Sequence, residues 1–317
     1  EKTLGLDGKD QIEEYGIEPF IQKCKESVWK YKGEWEKMSE RVGYWADMEH
    51  PYITYENSYI ESEWWALKTI SDKGLLYKGH KIVPYCPRCG TALSSHEVAQ
   101  GYKNVKEYSA FAKFKVKNAP ETTYILAWTT TPWTLPSNVA LCVNANEEYC
   151  EFLWQGTHNI MAKALVSAVF SKEDVAEMEL LRSFPGAELE GTEYEPLFPM
   201  ANPPKEKAWY VVCDDYVTLT DGTGVVHIAP AFGEDDARVG RKYNLPFVQL
   251  VDTQGKFVEG TKWAGTFVKQ TDEPIMAELK ERESRGYDYE DAGASFALLI
   301  DRAFGIRDDY FTLKSLK

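Results

Sequence analysis

The sequence predicts an α+β protein in which a barrel-like β domain follows a helical segment. Three observations carry this expectation. Apolar residues recur at three- and four-residue steps up to Gly74, short alternating runs with closely spaced turn signals fill about Tyr102 to Phe267, and a turn-rich CPRC stretch separates the two textures.

The elements follow in order. From Glu18 to about Val42, the residues Phe20, Cys24, Val28, Tyr31, Trp35, Met38 and Val42 make one apolar stripe, with Pro19 near its start and Gly43 just past its end. One amphipathic helix is expected there. A second is expected from about Ser58 through EWWALKTISDK, stopped by Gly74. Lys78 to Ser95, which carries CPRC, reads as a knuckle between domains. The expected strands are SAFAKFKV, TTYILAW, ALCVN, YCEFLW, AWYVVC, TGVVHIA and FVQLV, interrupted by a helix near Ala162 to Val175. Their alternation and turn spacing favour a barrel. After Thr271, DEPIMAELKERE reads as a helix with Asp272 as its cap. The expected domains are a helical segment over 1–100 ending in the knuckle, a barrel-like domain over 101–283, and a tail over 284–317 that loses the preceding rhythm.

Composition narrows the function classes. At 317 residues and 44% apolar content the chain can bury a substantial core. Its formal charge of −14, from 36 basic and 50 acidic residues, argues against capture of a polyanion by overall charge. A nucleic-acid partner must therefore be met by a local patch or by other parts of a larger protein. No apolar run approaches membrane-spanning length and EKTLGLDGKD has no signal-peptide character, so a soluble, cytoplasmic protein with no membrane partner is expected. The six cysteines, at 24, 86, 89, 142, 150 and 213, form no dense secreted framework, and reduced thiols are expected. Ten tryptophans and nineteen tyrosines suit base stacking and a large core equally well.

Two segments carry chemistry. In WTTTPWTLPSN, Trp128 to Asn138, hydroxyls and an amide sit on a stretch stiffened by two prolines. Pro132 pushes Thr131 toward extended geometry, and β-branched threonines hold their hydroxyls in few rotamers, which suits the orientation of a ligand or a water. A threonine-rich strand end of purely structural use is the open alternative. In DGTGVVHIAPAFGEDD, Asp221 to Asp236, a glycine turn leads into a strand on which Val225, His227 and Ala229 share a face, and Pro230 breaks it into a loop ending in three acids. A lone histidine is more often a structural hydrogen-bonder and an acid run more often solvated surface. The pair gains weight only where it faces the threonine segment.

Together these two long, ungapped segments closely resemble the editing domain of isoleucyl-tRNA synthetases, the connective-peptide insertion of a class I synthetase. WEKMSERVGYWADMEHPYITY, ESEWWAL and GLLYKGHKIVPYCPRCGTALSSHEV resemble the segment joining the catalytic nucleotide-binding fold to that insertion. The resemblance runs to about Glu283 and leaves the tail unmatched. Valyl and leucyl relatives typically carry an arginine after the second threonine, where this chain has Thr131, and valyl enzymes tend to have a lysine at the position of His227. Both choices point to isoleucine, with a valyl or leucyl editing domain as the alternative. The parent's ATP signatures, His-Ile-Gly-His and Lys-Met-Ser-Lys-Ser, do not occur in this chain, and Lys37-Met38-Ser39 is a decoy inside the predicted helix. ATP and magnesium belong to the parent ligase, and this chain alone is not expected to activate isoleucine.

The resemblance implies hydrolysis of valine esterified to isoleucine tRNA, a reaction that needs no cofactor. One methylene is worth only about 1 to 3 kcal/mol to a pocket, a general figure for which isoleucine against valine is the standard illustration, so a second site must remove the error. It implies that Asp236 binds the substrate's α-ammonium, that His227 lines the side-chain pocket and excludes isoleucine, and that Thr129, Thr130, Thr131 and Asn138 hold the ester, the water and the terminal adenosine. Trp128 and Trp133 offer stacking surfaces or core packing. A threonine acyl-enzyme is disfavoured, because no adjacent base is evident. Expected partners are the mischarged tRNA, its terminal adenosine and the rest of the parent synthetase. Cys86 and Cys89 supply half the ligands of a structural zinc, with His80 or His96 as conceivable additions and a free thiol pair as the alternative. A non-catalytic tRNA-binding or interaction module, and a free amino acid binding protein, are the competing functions.

Overall fold

The computed structural model describes residues 1–105, 109–284 and 313–316. It divides into two units, Glu1–His80 and Lys81–Lys317.

The first unit is helical: a 3₁₀ turn at Lys2–Leu4, then α1 (Lys9–Tyr15), α2 (Ile17–Trp29), α3 (Lys32–Arg41) and α4 (Asn57–Asp72). The single helix expected from Glu18 to Val42 is two. The chain leaves helical geometry at Tyr31 (φ −113°, ψ 8°), where aromatic residues and Gly33 weaken helix propensity, and Trp29 is held edge-on against Tyr55 just ahead of the break. The predicted stops hold: Gly43 and Gly74 both take positive φ, and Tyr44 and Leu75 return N–H bonds to Ser39 and Ile70, five residues back. No residue of this unit is buried, and Trp45 is 96% exposed, so the unit has no hydrophobic core of its own.

The second unit opens with the knuckle, β1 (Tyr85–Cys86) paired with β2 (Thr91–Ala92), tied down by a bond from the Tyr85 hydroxyl to the Thr253 carbonyl. Then come α5 (Ser95–Gln100), closed by a Ser94/Glu97 capping box, and β3 (Tyr102–Val105). The main sheet is built from β4 (Ala110–Lys115), β5 (Thr123–Thr129), β6 (Ala140–Val143), β7 (Glu148–Trp154), β8 (Thr157–Ala162), β9 (Glu179–Pro185), β10 (Tyr210–Cys213) and β11 (Val225–Ile228).

Its pairing curls into the expected barrel. β4 lines β5 along its whole length, so β8 and β11 share the other edge of β5, β8 at its start and β11 at its end. From β11 the sheet continues to β6 and β10. The ring returns to β4 through residues 192–195: Val211 N–H donates to the Thr192 carbonyl, Tyr194 pairs with Val116, and Lys117 N–H donates to Glu193. Inside, Phe114 and Tyr194 meet edge to face at 5.2 Å. β8, β7 and β9 branch outward as a flap.

Several expected elements differ. β8 and β9 were not anticipated, because THNIMA and ELLRSFP lack clean alternation. The helix expected near Ala162 to Val175 is a 3₁₀ turn at Lys163–Leu165 followed by α6 (Val166–Val169) and α7 (Lys172–Glu177), broken where Ser171 caps the second. FVQLV makes only an isolated bridge, Val251 to Phe257, because the chain reverses in the turn from Asp252 to Lys256. The three acids expected to end a loop instead open α8 (Glu234–Tyr243), where they complement the helix N-terminus. α9 (Asp272–Ser284) forms as expected, but Asp272 is its first residue and its carboxylate accepts from Trp133 N–H at 3.0 Å. Most of the 284–317 tail lies outside the described residues; Leu313–Leu316 forms β12, antiparallel to β3. Among the described residues no helix is long and apolar enough to cross a membrane.

Candidate active site

The chain leaves β5 at Thr129 and turns into a 3₁₀ segment, Pro132–Ser137. Thr131 is extended (φ −131°, ψ 72°), as the following proline requires. This turn sits beside β11: Trp128 pairs with Val226, and Val139 N–H donates to the Ile228 carbonyl at 3.0 Å. The two motifs therefore face each other.

A chain of hydroxyls ends on the histidine. Thr129 Oγ1 accepts from Thr131 N–H at 3.1 Å and lies 3.4 Å from Thr131 Oγ1. Thr131 Oγ1 lies 3.3 Å from Thr134 Oγ1, which lies 3.0 Å from His227 Nε2 across 93 residues of sequence. Thr134 donates its only hydroxyl proton to the Thr131 carbonyl at 2.8 Å. Toward His227 it must accept, so Nε2 carries the imidazole proton and Nδ1 is left with a lone pair. Among the described residues that buried Nδ1 has no hydrogen-bond partner. Burial pushes the His227 pKa down to about 4, so the ring is neutral at pH 7. A weak base of this kind positions; it does not activate a hydroxyl nucleophile. Thr134 was missed in the sequence, where its only signal is its place three residues after Thr131 in the proline-started turn.

Asp236 comes into the site from α8. Its Oδ2 accepts from Ala229 N–H at 2.9 Å, two residues beyond His227. Its side chain folds back over Gly233, where a Cβ would stand 2.8 Å from the Asp236 Cγ, so only glycine fits. Burial pushes its pKa up to about 6, against the pull of the Ala229 N–H. The helix itself is anchored by Asp214, 3% exposed, which accepts from Arg238 at 2.9 Å and from Lys242 at 3.0 Å. Those two cations hold the Asp214 carboxyl well below the usual range.

The remaining expected residues separate. Thr130 is partly exposed, and among the described residues its side chain makes no hydrogen bond. Trp128 and Trp133 are half-buried against the barrel core, and Trp133 meets Phe232 edge to face at 5.1 Å, a packing role that joins the two motifs. Asn138 is a correction. It is 2% exposed, its Oδ1 accepts from the Tyr194 hydroxyl at 2.7 Å and its Nδ2 donates to the Ala140 carbonyl at 2.9 Å, so it braces the barrel closure and does not face a ligand. Asn138→Ala is expected to lower unfolding stability by about 1–3 kcal/mol, because it orphans buried partners. Urea unfolding measures this, and unchanged stability would contradict the bracing role.

Cys86 and Cys89 share the knuckle, where Cys89 N–H donates to Cys86 Sγ at 3.3 Å and lowers that thiol's pKa. Among the described residues no third histidine, cysteine or carboxylate gathers with them into a metal-binding group. His96 instead meets Gln100 within α5. Two thiols supply half the ligands of a structural zinc site.

A family model for class I tRNA synthetases (I, L, M and V) matches residues 1–234. The chain is 61% identical to an isoleucine–tRNA ligase of Clostridium acetobutylicum over 282 residues, which are 89% of this chain and 27% of that one. It is 53% identical to the isoleucine–tRNA ligase of Bacillus thuringiensis over 280 residues, 88% of this chain and 26% of the relative. It thus spans about a quarter of the length of these curated relatives. Among solved structures, GlLeuRS-CP1 is similar with a TM-score of 0.45 and 13% identity, over 55% of this chain and 96% of that one.

Proposed function

Because the chain belongs to the class I tRNA synthetases of the isoleucine, leucine, methionine and valine group, we propose that its threonine–histidine–aspartate site is the editing site of an isoleucine enzyme. It hydrolyses valine esterified to isoleucine tRNA. The observation that carries this reading is the single hydrogen-bonded run from Thr129 through Thr131 and Thr134 to His227, with Asp236 held at the end of the same strand.

In this reading Asp236, as a carboxylate, takes the α-ammonium of the aminoacyl ester. His227, locked by Thr134, forms a rigid wall for the side chain. Thr130 offers its hydroxyl to the ester or to the attacking water. An aminoacyl ester is intrinsically labile, so orientation and charge stabilisation suffice, and water is the nucleophile. The tRNA, its terminal adenosine and the remainder of a longer synthetase are the partners, and activation of isoleucine with ATP and magnesium belongs to that remainder.

The test is deacylation by the purified chain. Valyl-tRNA for isoleucine should be cleaved faster than in buffer and isoleucyl-tRNA spared; equal rates with and without protein would refute the assignment for this chain. The pH dependence is expected to be distinctive. Ammonium binding needs ionised Asp236, whose pKa is raised to about 6, so buffer-corrected kcat/KM should fall as pH drops through about 6. An ordinary aspartate would place that fall near about 4. A profile flat down to pH ~5 would exclude Asp236 as the ammonium ligand.

A further inference from the structure

Outside the threonine site, a cavity of about 320 Å³ lies between the β4–β5 loop and the flap strands β7, β8 and β9, and none of its lining residues belongs to Trp128–Asn138 or to β11. This is the small end of the range for ligand sites, about 300–1,000 Å³. Glu151, 13% exposed, lines it with both oxygens engaged: Oε1 accepts from His158 Nδ1 at 2.7 Å and Oε2 from Arg182 Nε at 2.6 Å. The register dictates this. Glu151 stands opposite Arg182 across β7–β9 and opposite Ile160, two residues from His158, across β7–β8, so all three polar side chains share a face.

The cluster leaves a mixed set of unused groups. Burial opposes ionisation of Glu151, but the bonds from His158 and Arg182 outweigh it and hold its carboxyl below the usual range. An ionised carboxylate only accepts, so His158 Nδ1 carries a proton and donates it to Glu151. The Arg182 guanidinium lies over the Phe184 ring at 4.3 Å, which fixes its plane, while among the described residues its terminal nitrogens meet only Glu188, at 3.8 Å. Glu121 lines the same cavity, and among the described residues its carboxylate has no side-chain partner. The walls at Val116, Ile160 and Leu189 are apolar.

A purely anionic ligand would meet Glu121 and Glu188, and a purely cationic one would meet Arg182. A small molecule carrying both charges on an aliphatic body fits the whole set. We propose that this cavity binds a free α-amino acid with an aliphatic side chain. The carboxylate pairs with the terminal nitrogens of Arg182, the ammonium with Glu121, and the side chain packs against Ile160, Leu189 and Phe184. The assignment does not depend on the editing reading, since the two sites share no residue.

The test is a methyl and imidazole NMR titration of the full chain with L-valine, alongside isobutylamine and isovalerate, which each lack one charge. L-valine should shift the Ile160 δ1-methyl and the His158 ring saturably, with a Kd of about 1 mM, and each half-ligand should bind about tenfold more weakly. Arg182→Gln should weaken binding about tenfold, and Glu121→Gln, an exposed change that leaves the Glu151 cluster intact, should weaken it measurably. Ester hydrolysis should be unchanged in both variants. No saturable shift at Ile160, half-ligands that bind as well as valine, or shifts confined to His227 would each overturn the proposal.

Discussion

Asp236→Ala is expected to reduce kcat/KM for valyl ester hydrolysis by about ten- to a hundredfold, the loss of one charge-assisted hydrogen bond of about 1.5–3 kcal/mol. Most of the loss should appear in KM, because the ammonium is bound equally in the ground and transition states. The carboxylate also accepts from Ala229 N–H at 2.9 Å, so alanine disturbs the end of β11 as well. Asp236→Asn separates the two effects: its amide oxygen keeps the bond to Ala229 while the charge is lost. It should be nearly as defective as alanine, and its activity should no longer fall through pH ~6. Steady-state deacylation kinetics on both variants check this. Unchanged kinetics in the asparagine variant would remove Asp236 from substrate binding.

The second large effect is expected at His227. Its ring is 7% exposed, neutral, and held by Thr134 at 3.0 Å, so it acts as a wall that cannot easily move aside. A rigid wall rejects a larger side chain more sharply than a pocket favours a smaller one. His227→Ala should therefore admit the isoleucyl ester and raise its hydrolysis by about ten- to a hundredfold, with a smaller change for valyl ester. The variant also opens a buried space, so its melting temperature must be compared with that of the parent chain. Continued protection of isoleucyl-tRNA in a folded variant would show that another group excludes isoleucine.

What was legible in the sequence is what local chemistry dictates. The proline after Thr131 forces the geometry of its turn, Gly43 and Gly74 end helices for steric reasons, and alternation revealed most barrel strands. His227 and Asp236 stood out as candidates because few tasks suit their residue types. Partnerships across long sequence distances were not legible. Asn138 sits in a ligand-like motif, but the hydroxyl of Tyr194, 56 residues away, donates to its Oδ1. Thr134 joins the site only because the fold brings His227 to it. The same holds for the flap: β8 and β9 are strands because β7 pairs with both, a fact no local pattern in THNIMA or ELLRSFP carries. The helix break at Tyr31 went unseen because the apolar stripe runs through it unchanged.

The most direct test of the account is a crystal structure of the chain with a non-hydrolysable valyl-adenosine analogue. The account places the analogue's ammonium on Asp236, its isopropyl group against His227 and its ester mimic within reach of the Thr130 hydroxyl, so that both motifs touch one molecule. An analogue bound elsewhere, or touching only one of the two segments, would contradict the claim that they form a single hydrolytic site.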